Sequence, residues 1–278
     1  MMVFYRYLLL ILIWPGVLHA AEPLRFASLV LEDREAVIRE FSPLLKWMEK
    51  GLNRPVRIVL HENYDDILDA FARRQVDLAY LGPLPYVRLR DRYPVAEPLI
   101  TFNEADGSAT YRCVLAAFRG DAIRLSGLRN RVIGLTQPLS TCGPLSVDAL
   151  LRKQAGFGLE QTRQQVLGSH QNVAQAIVGG DVAAGGLKES IAKKYAGLGL
   201  EVLASTDPLP GFALIVNRAT LNEAQVAAMS RHLLSAPPSV YRRWGESLRH
   251  GMQTANDADY DGVRVLTEKS RMAGPVRP

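Results

Sequence analysis

Apolar positions along the chain alternate between two rhythms, one suited to strands and one to helices. "LRFASLVL" (24–31) is a short apolar run bounded by polar residues, the pattern of a buried strand. "DREAVIREFSPLLKWMEKGL" (33–52) follows, with Val37, Ile38, Phe41, Leu44, Leu45 and Met48 close to i, i+3, i+4, i+7 spacing, which predicts an amphipathic helix. "PVRIVLH" (55–61), "YDDILDAFARRQ" (64–75) and "VDLAYLGP" (76–83) then read as strand, helix and strand, the last closed by Gly-Pro. Strands separated by helices at this pace call for right-handed crossovers and a parallel sheet covered on both faces.

A polar stretch, "TFNEADGSAT" (101–110), interrupts the rhythm, and "YRCVLAAFR" (111–119) resumes it as a strand. "LRNRVIGLT" (128–136) opens a second series: a helix near 145–155, a strand at 162–168, a helix near 170–178, a strand at 181–186 and a helix at 187–197. "EVLASTDPLPGFALIVNR" (201–218) reads as two strands that cross back, and the rest reads as helical (222–236, 239–252 and a final segment from Tyr260). The expected fold is therefore α/β and two-lobed, each lobe a mostly parallel sheet flanked by helices, joined by two crossing strands near 108–118 and 205–216. The expected division is 1–21 as a leader, 22–110 as the first part of lobe 1, 111–206 as lobe 2, and 207–278 as the return to lobe 1. Such a fold places its ligand between the lobes, at the carboxyl ends of strands.

The leader changes the picture of compartment. "MMVFYRYLLLILIWPGVLHAAEP" has one cation (Arg6), an apolar run from Leu8 to Trp14, a Pro15-Gly16 break and small residues Ala20 and Ala21. That is the layout of a cleavable secretory signal peptide, and the apolar run is shorter than the roughly 20 residues of a membrane span. The periplasm is the expected location. The formal charge of +5 is spread over scattered cations with no aromatic-interleaved basic stripe, so nucleic acid is not an expected partner. The five histidines are isolated, and no HExxH, CxxC or Walker-type run occurs, so neither a metal nor another cofactor is expected and the chain does not read as an enzyme.

The richest local chemistry is "LSTCGPLS" (139–146), between a strand and a helix start. Ser140 and Thr141 bring hydroxyl donors, Gly143 allows close backbone approach, and amides at a helix start attract anions. An ordinary N-cap would use the same residue types. With "ENYDDILDAFARRQVDLAYLGPLPY" (62–86), "GSATYRCVL" (107–115), "GSHQNVAQAIVGGDVAA" (168–184) and "PLPGFALIVNR" (208–218), the stretch forms an ordered set. That set resembles the phosphate/phosphite/phosphonate substrate-binding proteins of ABC importers over roughly residues 24 to 220.

The resemblance implies a monomeric, two-lobed binding protein that closes on a small oxyanion and delivers it to an inner-membrane ABC permease. By motif it assigns ligand contacts to Tyr64, Tyr111, Ser140, Thr141, Cys142 and His170, with Tyr80 and Tyr86 as weaker candidates. Cys142 stands where the family carries a second serine. Relatives that take aminoalkylphosphonates carry an acid after the "VD.A" strand; here Lys188 takes that place and Glu189 lies one position away, which speaks against an amino-bearing ligand. Cys113 and Cys142 leave three readings open: a disulfide tying the crossing strand to the oxyanion turn, two free buried side chains, or a thiol pair for a soft oxyanion. The third resembles periplasmic arsenite sensors that signal to a membrane histidine kinase.

Overall fold

The computed structural model describes residues 22–30 and 33–272; the leader reading lies outside them. In chain order the first elements are β1 (Leu24–Leu29), α1 (Arg34–Leu52), β2 (Val56–His61), α2 (Tyr64–Ala72), β3 (Leu78–Leu81), α3 (Pro83–Arg92) and β4 (Ala96–Phe102). Next come β5 (Thr110–Tyr111), β6 (Cys113–Phe118), β7 (Val132–Thr136), α4 (Ser146–Ala155), β8 (Arg163–Gly168) and α5 (His170–Gly179). The chain continues through β9 (Ala184–Lys188), α6 (Glu189–Tyr195), β10 (Leu200–Ser205), β11 (Leu209–Pro210) and β12 (Ala213–Asn217). It ends in α7 (Glu223–Leu234), α8 (Pro238–Tyr241), β13 (Met252–Thr254) and α9 (Asp261–Met272). Among the described residues no helix is long and apolar enough to cross a membrane.

The strands form two sheets, ordered β13-β4-β12-β3-β1-β2 and β10-β6-β9-β7-β8, with a ribbon of β5 and β11 between them. The two-lobed α/β architecture is as expected, but each sheet is mixed rather than mostly parallel. β1 pairs in parallel with β2 and β3, and β7 with β8 and β9. The strands next to the crossings, β6 and β12, run antiparallel to their neighbours. The chain leaves the first sheet at the end of β4 and returns to it at the same end, so β12 runs back beside β4, with Ala213 opposite Thr101.

Local chemistry fixes the element ends. Asp33 caps α1 by accepting from the amides of Glu35 and Ala36, and Asn53 closes it at φ 47°. Phe41, Leu44, Leu45 and Met48 face the core as the spacing predicts, whereas Ile38 stays 41% exposed. The segment expected as a helix over 239–252 is a single turn, then turns, then β13 on the edge of β4. Its course is set by a distant group. The Glu40 carboxylate accepts from the amides of Glu246 and Ser247 and from the Ser247 hydroxyl, and a Cβ at Gly245 would lie 2.2 Å from Glu40. Helical periodicity cannot register that capture.

One apolar cluster joins the lobes. Tyr64, Leu84 and Ala213 of the first sheet's side pack in it with Tyr111, Cys113, Cys142 and Leu145, and with Tyr260 and Val263 from the C-terminal segment. Of the candidate residues, Tyr64, Tyr111 and Cys142 belong to this cluster, and Ser140 and Thr141 are buried as well.

Candidate functional site

The turn 141–145 precedes α4 and is kinked at Gly143 (φ −83°, ψ −125°). Neither Ser140 nor Leu145 makes a side-chain cap, so the hydroxyls of this turn are not spent as an ordinary N-cap. The Ser146 hydroxyl instead donates to the Thr141 carbonyl (2.6 Å), and the Gly143 amide to the Ser140 carbonyl (3.2 Å). Two glycines permit this shape. A Cβ at Gly143 would lie 2.6 Å from the Thr136 hydroxyl, and one at Gly186 would lie 2.4 Å from the Cys142 carbonyl oxygen.

Thr141 links the lobes. Its Oγ1 accepts from the Leu84 amide in the first turn of α3 (3.0 Å) and shares a hydrogen bond with the Tyr111 hydroxyl. Tyr111 ends β5, and Tyr64 opens α2 behind the cap made by Asn63. Burial pushes both phenols well above their ordinary range, and Tyr64 adds to the shift of Tyr111. Both therefore stay protonated and uncharged at neutral pH. Gln137 adds a second bond between the lobes, from its Nε2 to the Glu62 carbonyl (3.3 Å).

His170 opens α5 behind Ser169, whose hydroxyl accepts from the Asn172 amide. Its Nδ1 accepts from the Lys188 amide (3.3 Å), which leaves Nε2 as the protonated nitrogen. Burial, and then the Lys188 charge, lower its pKa to about 4. At neutral pH it is an uncharged donor with a fixed tautomer.

Cys113 and Cys142 form a disulfide with Cα atoms 5.0 Å apart, both almost fully buried. Of the three cysteine readings the structure therefore takes the first. Cys142 offers a ligand backbone but no thiol, and the sulfurs that an arsenite site needs are bonded to each other. Tyr80 and Tyr86, the weaker candidates, are packing residues. Tyr80 stacks on Phe212 (5.1 Å between centroids) and meets Phe41 and Phe102, while Tyr86 packs on Tyr260 and donates to Asp257 (2.5 Å).

Lys188, at the end of β9, turns its Nζ to the Glu104 carboxylate (2.6 Å) and lies over the rings of Tyr111 (5.1 Å) and Phe212 (5.8 Å). Glu189 points elsewhere, pairing with Lys193 on the exposed face of α6 (2.8 Å). Glu104 has no counterpart in the sequence reading. It sits in a polar loop, and only the folded chain brings it beside Tyr111.

The sequence profile described as "ABC transporter, phosphonate, periplasmic substrate-binding protein" matches residues 26–262. The chain belongs to that family. Among curated relatives, the "Phosphate-import protein PhnD" of Mycolicibacterium smegmatis is 22% identical over 274 residues, 89% of this chain and 85% of that protein. PhnD1 of Prochlorococcus marinus, solved with methylphosphonate, superposes with a TM-score of 0.76 at 16% identity over 89% of this chain and 98% of its own. A binding protein component of an ABC phosphonate transporter from Pseudomonas aeruginosa gives 0.76 at 18% identity, over 92% and 90%. These structures share the fold; the family rests on the profile match. It is a family of transport binding proteins located in the periplasm, as the sequence led one to expect.

Proposed function

We propose that this family member captures a small tetrahedral phosphorus oxyanion (phosphate, phosphite or a simple phosphonate) and hands it to an ABC permease of the inner membrane. The closing bodies in this reading are 22–110 with 207–278 and 111–206, exported by removal of 1–21. The ligand contacts are Tyr64 and Tyr111, the hydroxyls of Ser140 and Thr141, the turn amides around Cys142, and Nε2 of His170.

The observation that carries the reading is a set of neutral donors with one polarity. Buried phenols, an imidazole whose Nδ1 is already occupied, and hydroxyls that do not cap their own turn are gathered at helix starts and the β5 ribbon. An anion held by neutral donors gains several charge-assisted hydrogen bonds without forming a fixed ion pair. Donors from both lobes also give the closed form contacts that an open form lacks, and this difference drives closure.

The test is thermal-shift and calorimetric screening of phosphate, phosphite, methylphosphonate, sulfate and arsenite. At least one phosphorus oxyanion is expected to stabilise the protein and bind one to one. If none binds, the reading fails. An arsenite response that survives with the disulfide intact would redirect it toward a sensor.

A further inference from the structure

The oxyanion turn 141–145 is held from two directions. Toward the other lobe Thr141 accepts from the Leu84 amide (3.0 Å), and toward the β5 ribbon it shares a hydrogen bond with Tyr111. Toward its own lobe the turn offers close packing: the Cys142 carbonyl lies on Gly186 of β9, and Gly143 lies on Thr136, whose buried hydroxyl makes no hydrogen bond among the described residues. The covalent hold on that side is the bridge from Cys142 to Cys113. Cys113 is itself a fixed post. Its amide donates to the Thr206 hydroxyl (3.1 Å), its carbonyl accepts from the Thr206 amide (2.9 Å), and Arg112 donates to the Thr206 carbonyl. Thr206 follows β10 on the second crossing. The two crossing strands therefore meet at Cys113, where β6 begins opposite Lys188 of β9.

We propose that the Cys113–Cys142 disulfide positions the oxyanion turn in the open form, so that an anion meets hydroxyls and amides already in place. This rests on the oxyanion reading above and deepens it, because it assigns the bridge to the capture step. When the lobes part, the Leu84–Thr141 bond parts with them, whereas a bridge within one lobe stays. The turn is kinked at Gly143 and has no side-chain cap, so without the bridge its open form spreads over many conformations. Only a fraction of open molecules would then present a formed turn, and apparent affinity falls by that fraction. Release is not affected in the same way. In the closed complex Leu84 and Tyr111 hold Thr141 whether or not the bridge is present.

The test is stopped-flow binding of phosphate, phosphite and methylphosphonate to the wild type, Cys113→Ala/Cys142→Ala and Cys113→Ala/Cys142→Ser, well below each unfolding midpoint. Both variants should associate about tenfold or more slowly than the wild type and release at the wild-type rate. The serine variant offers a hydroxyl in place of the sulfur but no tether, and it should be as slow as the alanine variant. A purely structural bridge would lower stability and leave the association rate of the folded variants unchanged. That result, a loss that falls on release, or wild-type association with serine would each overturn the assignment. Hydrogen exchange on the ligand-free wild type decides the question if neither variant folds. The Gly143 and Ser146 amides, which donate within the turn, should be protected before any anion is added. Exchange as fast as in an unfolded chain, with protection only on binding, would overturn it. If the wild type binds none of the three anions, the functional reading falls and takes this one with it. Anion binding with unmoved association rates removes the role of the bridge alone.

Discussion

Two side chains of the site separate binding from stability most cleanly. The Ser140 hydroxyl caps no helix, whereas Thr141 carries the Leu84 amide and the Tyr111 hydroxyl. Ser140→Ala should therefore weaken oxyanion binding by about tenfold to a hundredfold, the worth of one hydrogen bond to a charged group, with stability within about 0.5 kcal/mol. Thr141→Val should weaken binding too, but also cost about 1–3 kcal/mol by leaving a buried amide unpaired. Calorimetry and chemical denaturation on both variants check the contrast. His170 adds a pH signature. Its native pKa is about 4, against about 6.5 in an unfolded chain. Its contribution to stability is complete above pH 6.5 and is lost as pH falls from there toward 4, because the unfolded chain takes up a proton the native site refuses. Between pH 7 and pH 5 the wild type should lose about 2 kcal/mol more than His170→Gln. Equal losses would mean that this histidine is not held neutral.

At the scale of elements, the disulfide joins the start of β6 to the turn 141–145. Two residues before Cys113 stands Tyr111, and on either side of Cys142 stand Thr141 and Gly143. The bridge closes a loop with a sequence separation of 29, so removing it as Cys113→Ala/Cys142→Ala should cost about 3–4 kcal/mol in the chain-entropy account. Reductant should lower the wild-type denaturation midpoint and leave that of the double variant unchanged. The turn itself was legible in sequence because hydroxyls, glycine and proline are local signals at a strand-to-helix junction. So were the strands and helices of both series, whose apolar periods are local as well. β4 was not, since Pro98 interrupts its pattern; the pairing with β12 shifts register beside that proline, which has no amide to give. The 239–252 segment was misread because its course depends on Glu40, some 200 positions away along the chain. Glu104 was invisible for the same reason. Its partner and its burial exist only once β9 and the β5 ribbon are side by side.

For the whole molecule, the question is what the closed form gains beyond its ligand. The described chain already holds its lobes with the Leu84–Thr141 and Gln137–Glu62 hydrogen bonds, and with an apolar cluster drawn from both sheets and the C-terminal segment. Asp257, accepting from Tyr86 and Arg264, fixes that segment to α3, and α9 in turn touches α4. The contacts made by Gln137 and Asp257 bias the equilibrium between open and closed forms without contacting the ligand, and apparent affinity scales with the fraction that is closed. Gln137 is the most accessible lever, because its side-chain bond to the Glu62 carbonyl is long and lies at the cleft edge. Losing one such bond is worth about 0.5–1.5 kcal/mol, so Gln137→Ala should weaken oxyanion binding by about twofold to tenfold. The loss should fall on release. Association depends on the open form meeting its ligand, whereas dissociation requires the lobes to part. Stopped-flow measurement should find a faster off-rate with an unchanged on-rate, and small-angle scattering should find the ligand-saturated variant as compact as the wild type. A slowed on-rate with normal release would place Gln137 in the encounter with the anion and not in closure.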